Sequence, residues 1–126
     1  MKRILPALAL VALAAISAAC SSAAAQPVAS GPVDPNGPTI VAKNMAFTTS
    51  TVEVKAGSNL TLHFDNQDSA PHNVAIYADS SASQKVSIGE IVSAAKKDQV
   101  VPALAAGTYF FRCDVHTSMT GTIVAK

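Results

Sequence analysis

Residues 109–121, Tyr-Phe-Phe-Arg-Cys-Asp-Val-His-Thr-Ser-Met-Thr-Gly, constrain this chain more than any other stretch. They set a thiol, an imidazole and a thioether three positions apart, at Cys113, His116 and Met119. That combination of donors suits copper moving between its two oxidation states. A trigonal site needs a second imidazole, and the upstream stretch Pro71-His72-Asn73-Val74 offers one. His72, Cys113, His116 and Met119 therefore read as one metal site, with the rest of the chain as the frame that holds it.

Each of these residues has a plainer reading. Cys113 alone would be taken as a small buried hydrophobe, the common fate of a free cysteine. His72 alone would be an ordinary loop histidine, and it is promoted only by the second set. A thiol nucleophile with His116 as its base is the enzymatic alternative, but no orienting residue or oxyanion loop accompanies the pair. Zinc accepts Cys and His, yet a structural zinc site rarely uses Met. His63 points outward from an alternating strand and reads as a surface residue. Tyr109 and Phe111 read as core, and the Lys96-Lys97 pair as a solvated turn.

The start of the chain reads as an address. Met1-Lys2-Arg3 is a short basic region, and an apolar run rich in Ala and Leu follows from Ile4 to Ala19. This is the layout of an export signal, and the run is short for a retained membrane-spanning helix. Ser17-Ala18-Ala19-Cys20 is similar to a bacterial lipobox, although Ser17 stands where Leu is usual. Lipidation of Cys20 is the preferred reading because a polar linker follows at once; cleavage near Ala25 is the alternative. Residues 1–20 are thus assigned to a signal peptide and 21–38 to a flexible tether rich in Ser, Ala, Pro and Gly. The folded domain is expected over 39–126.

Cysteine usage then becomes informative. The chain has two cysteines, and Cys20 is either lipidated or removed. An exported domain with one remaining thiol has not used cysteine for a disulfide, and a metal bond is the simplest way to keep Cys113 from oxidising. Lys2 and Arg3 lie in the signal, which leaves seven basic residues against eight acidic ones and a net charge near −1 for the mature chain. No basic cluster stands out, which argues against nucleic acid as a partner.

Alternation of apolar and polar residues marks the strands. They are expected over 39–43, 51–55, 59–65, 72–77, 98–101, 109–113 and 121–125, with turns at Ala56-Gly57-Ser58 and Leu104-Ala105-Ala106-Gly107. Residues 79–84 are polar. From 85 to 97, Ile88, Ile91, Val92 and Ala95 fit one face of a short helix, but Gly89 argues for an irregular excursion. Short alternating strands separated by turns predict an all-β antiparallel sandwich or barrel.

The sequence resembles the cupredoxins, the blue-copper domains of the plastocyanin and amicyanin type. The resemblance runs from about Phe47 to Val124 and rests on Phe47, Val52, Val54, Gly57, residues 60–64, Asn66, Asp68 and His72 in the first half. In the second half it rests on Gly107-Thr108-Tyr109, Phe111, Cys113, His116, Met119 and Gly121. The Cys-x2-His-x2-Met spacing is similar to that of amicyanin. The resemblance implies a Greek-key β-sandwich that binds one copper ion through His72, Cys113, His116 and Met119. The implied function is one-electron transfer outside the cytoplasm, in the periplasm or at a membrane through a lipid on Cys20.

Within that reading Cys113 supplies a short covalent bond, the two histidines complete a trigonal plane, and Met119 is a weak axial ligand. His116 is expected to be partly exposed within a small patch formed by Ala46, Ala70, Pro71, Thr117 and Ser118, where redox partners dock briefly. Met45 reads either as core or as a neighbour of the metal. Asn73 is expected to tie the two ligand loops together. Val115 stands where the family often has Pro, and its N–H is expected to reach the Cys113 sulfur. A monomer is expected. The three histidines are too few for the extra clusters of copper enzymes, so the protein is not read as an enzyme. The alternative is a copper storage or delivery protein using the same ligands.

Overall fold

Alternation along 51–54 and 59–66 sends Val52, Val54, Leu60, Leu62 and Phe64 to one side, and all five are buried. A strand with one buried face must pack against another sheet, and the chain supplies two. The computed structural model describes residues 33, 34 and 36–126. The signal peptide, its cleavage point and the tether up to residue 32 lie outside the described residues.

Among the described residues ten strands follow in order: β1 (Val33–Asp34), β2 (Thr39–Lys43), β3 (Ala46–Phe47), β4 (Thr51–Val54), β5 (Asn59–Asn66), β6 (Ala75–Tyr77), β7 (Lys85–Ile88), β8 (Lys96–Val101), β9 (Gly107–Arg112) and β10 (Thr120–Ala125). In the first sheet β5 is central. It pairs antiparallel with β8 along one edge and parallel with β1 and β2 along the other, and β3 pairs with β2. The second sheet runs β4-β10-β9-β6-β7. The two form an all-β Greek-key sandwich around a core that includes Ile40, Leu62, Ile76, Phe111 and Ile123.

Several local readings are revised. The sheets are mixed rather than antiparallel, because β10 lies parallel to β4 and β2 parallel to β5. Connections between parallel neighbours must cross over, and here the intervening chain visits the opposite sheet. A short strand, β1, pairs Val33 and Asp34 with Asn59 and Leu60, so the sheet begins within the stretch read as tether. The strand expected from His72 starts at Ala75, and His72 itself makes only an isolated bridge with Val92.

Between 85 and 97 there is no helix; β7 pairs with β6, and the chain then returns through that bridge to β8. Gly89 explains the choice. Its N–H donates to the Val74 carbonyl at 2.9 Å, and a Cβ there would lie 2.5 Å from Gln99 Oε1. Such close approach suits a backbone pressed against the sheet, not a helix. Met45 is neither core nor buried, being 47% exposed.

Candidate metal centre

Three of the candidate ligands come from one turn. The alternation of β9 buries Phe111 and delivers Cys113 to the interior at the strand's end. The chain then turns back into β10. The Cys113 N–H donates to the Met119 carbonyl at 3.0 Å and the Met119 N–H to the His116 carbonyl at 2.9 Å, which closes the loop on itself. Gly121 permits the return: it faces Phe111 across the β9–β10 ladder, and a Cβ would sit 2.2 Å from that ring.

His72 arrives from the other side of the same sheet. Its N–H and carbonyl both pair with Val92, each at 3.0 Å. The carboxylate of Asp68 lies 3.2 Å from its Nε2. A carboxylate only accepts, so Nε2 is the donor of this pair and Nδ1 is the nitrogen that faces inward. Inside, His72 Nδ1 lies 3.7 Å from Cys113 Sγ and 3.1 Å from His116 Nδ1. The two rings are 4.8 Å apart at 65°. The three donor atoms all fall within 4.8 Å of one another. His72, Cys113 and Met119 are buried, while His116 is half-buried. The structure thus brings all four sequence candidates to one end of the sandwich.

The His72–Cys113 separation of 3.7 Å and the His72–His116 separation of 3.1 Å are close to those around a bound ion. A trigonal first-row metal about 2.0 Å from nitrogen and about 2.3 Å from sulfur would hold its nitrogens about 3.5 Å apart and nitrogen and sulfur about 3.7 Å apart. Two imidazole nitrogens and a cysteine sulfur turned toward one another, with a methionine in the same loop, are the mixed nitrogen and sulfur donor set that suits copper.

Asn73 does tie the ligand loops together: its Oδ1 accepts from the Asp114 N–H at 2.8 Å, next to Cys113, and its Nδ2 donates to the Gly89 carbonyl at 3.2 Å. The N–H expected from Val115 is replaced by that of His116, which donates to Cys113 Sγ at 3.4 Å. The tight turn directs the amide three residues on, not two, toward the sulfur.

Further polar groups pack around the ligands. Tyr77 donates to Asp114 Oδ1 at 2.6 Å, and Arg112 Nε donates to the same oxygen at 3.1 Å. The guanidinium also lies over the Tyr77 ring, 4.9 Å from its centre. Burial, reinforced by Asp114, raises the Tyr77 hydroxyl above its usual range. The hydrogen bonds to Tyr77 and Asp114 push Arg112 still higher. Asp68 is held below the ordinary carboxylate range, first by the Met45 N–H, then by the Asn44 N–H and His72, against the opposing effect of partial burial. Nothing in an alternation pattern marks such cross-strand polar pairs. His63, by contrast, stays on the outer face of β5, 2.7 Å from Asp98.

A cupredoxin-like domain family model matches residues 7–125, and the chain belongs to that family. Among solved structures it is similar to dithionite-reduced auracyanin from Roseiflexus castenholzii. The two are 17% identical with a TM-score of 0.65, and the match covers 74% of this chain and 98% of the other. It is similar also to auracyanin A, a "blue" copper protein from Chloroflexus aurantiacus, at 20% identity and TM-score 0.63, covering 71% and 100%. Amicyanin from Paracoccus versutus is 24% identical with a TM-score of 0.57, covering 79% and 88%. These likenesses establish the fold. No curated protein sequence gave a significant match.

Proposed function

We propose that the protein is a mononuclear copper electron carrier working outside the cytoplasm, with His72, Cys113, His116 and Met119 as its ligands. The observation that carries this reading is the buried thiol flanked by two inward imidazole nitrogens, all within 4.8 Å, beside a buried methionine in the same loop. A copper ion bound there supplies a one-electron couple between Cu(I) and Cu(II). The similarity to auracyanin A, named as a blue copper protein, points the same way.

The chain's own part is to hold the ligands still. Cys113 and Met119 are locked by the hydrogen bond that closes their loop, and His72 by its paired bridge to Val92. A frame that fits both oxidation states with little movement keeps reorganisation small, as a carrier requires, whereas storage or delivery needs ligands that let go. His116 is half-buried, and its loop neighbours Val115, Thr117 and Ser118 are exposed. That placement supports it as the exit for the electron, with partner proteins docking there weakly and briefly. A lipid on Cys20 would tether the carrier to the outer side of a membrane; fatty-acid labelling lost in Cys20→Ser tests that.

The deciding experiment is a visible spectrum during titration with copper(II). An intense blue thiolate-to-copper band should saturate at one equivalent and be absent in Cys113→Ser. Copper uptake without that band would overturn the ligand assignment. Fast loss of Cu(I) to a chelator, with a sluggish electrode response, would replace the carrier by the storage or delivery reading.

A further inference from the structure

Asp68 is the most heavily committed acid beside the metal centre. It sits in the loop between β5 and His72. Its Oδ1 accepts from the Asn44 N–H at 2.8 Å, and its Oδ2 accepts from both the Met45 N–H at 2.9 Å and His72 Nε2 at 3.2 Å. Its own backbone is fixed as well. The Asp68 N–H donates to Asn66 Oδ1 at 2.9 Å, and its carbonyl accepts from the Ala94 N–H at 2.8 Å. Asn44 and Met45 are both left-handed, with φ of 54° and 60°. A left-handed backbone is unfavourable for residues other than glycine, and the carboxylate offsets that cost by gathering both amides. The side chain is only 16% exposed, so water screens it little.

Two effects on His72 follow from this arrangement. The carboxylate selects the tautomer protonated on Nε2 and holds the ring with Nδ1 toward Cys113 and His116. Its negative charge also makes the imidazole a stronger donor, because a hydrogen bond from the distal N–H to an anion pushes electron density toward the coordinating nitrogen. A stronger donor favours the more highly charged oxidised ion. A neutral acceptor would orient the ring equally well but would lack this second effect.

We propose that Asp68 is a positioning residue that also lowers the reduction potential of the centre, by fixing His72 as an Nδ1 donor and passing its charge through the imidazole. This rests on the copper reading of the four ligands above. An asparagine at this position tests it sharply. Both carboxylate oxygens accept, so an amide in the same place must turn its NH2 group toward at least one N–H donor.

The potential of copper-loaded wild type and Asp68→Asn is measured by voltammetry, with thermal unfolding of both apo-proteins alongside. Loss of a distal partner of a metal-bound histidine typically weakens metal binding 10–100-fold. If Cu(II) binding falls tenfold while Cu(I) binding is unchanged, the potential rises by about 59 mV. The expected result is such a rise with the blue band retained.

A variant that loses thermal stability but keeps the wild-type potential would reduce Asp68 to a brace for the 44–45 turn and overturn the proposal. Should the variant fail to fold, nitrogen NMR of the apo wild type decides the matter: His72 must carry its proton on Nε2, and a proton on Nδ1 overturns the proposal. A wild type without a blue band overturns the copper reading together with this one, whereas a blue wild type and an unshifted variant overturn this one alone.

Discussion

At the scale of single residues, the polar groups around Cys113 matter as much as the ligands. Tyr77 is 1% exposed, yet its hydroxyl is satisfied by Asp114. Tyr77→Phe keeps the ring and removes that bond. A hydrogen bond to a charged group contributes about 1.5–3 kcal/mol, so the variant should melt about 6 °C or more below wild type by circular dichroism. The pH dependence has a definite sign. The folded Tyr77 hydroxyl holds its proton more tightly than the ordinary value of 10.0. Its contribution is therefore complete below about pH 10 and is lost as pH rises through the higher folded value. Denaturant midpoints should fall above about pH 10 in wild type, and less steeply in Tyr77→Phe.

At the scale of elements, the β9–turn–β10 hairpin and the loop carrying His72 are joined by Asn73. Asn73→Ala would leave the Asp114 N–H without its acceptor, a loss of about 1–3 kcal/mol. The stronger consequence is geometric, since the two loops would no longer share a hydrogen bond beside Cys113. The copper(II) titration of this variant should show weaker binding and a shifted or broadened thiolate band.

Gly121 makes a contrasting case. The Phe111 ring that fills its place is fully buried and packs against Phe47, with ring centres 5.2 Å apart. Gly121→Ala must push that ring aside, at a cost of about 1–3 kcal/mol by urea unfolding. The register of the hairpin, with Gly121 opposite Phe111, was not legible from the chain, although the inward alternation of Phe111 and Cys113 was. Alternation tells which side of a strand a residue takes, but not which residue it faces across the ladder.

At the scale of the whole molecule, metal binding and folding are linked. The donor atoms are assembled from positions more than 40 residues apart, 72 and 113–119, so the unfolded chain has no comparable site. A ligand that binds only the folded state adds about 4.1 kcal/mol when present at a thousand times its dissociation constant. Copper should raise the melting temperature markedly, and a chelator should return it to the apo value. The surface ion pairs contribute far less: Lys97–Glu90 and Lys126–Glu53 are well exposed, and such pairs are usually worth under about 1 kcal/mol. Among the described residues no helix is long and apolar enough to cross a membrane.

The sequence by itself determined the strand periodicity, the buried faces and the four candidate ligands. Each of these depends on local spacing or on the chemistry of a residue type. The tertiary structure alone decided which strands became parallel neighbours and where Gly89 forces the 85–97 segment against the sheet. It also decided that the His116 N–H, not that of Val115, meets the sulfur, and that Asp68 grips His72. Those outcomes depend on distances between residues far apart in the chain or on the pitch of one turn. Such distances arise only when both sheets close on the same core and every buried polar group must find a partner.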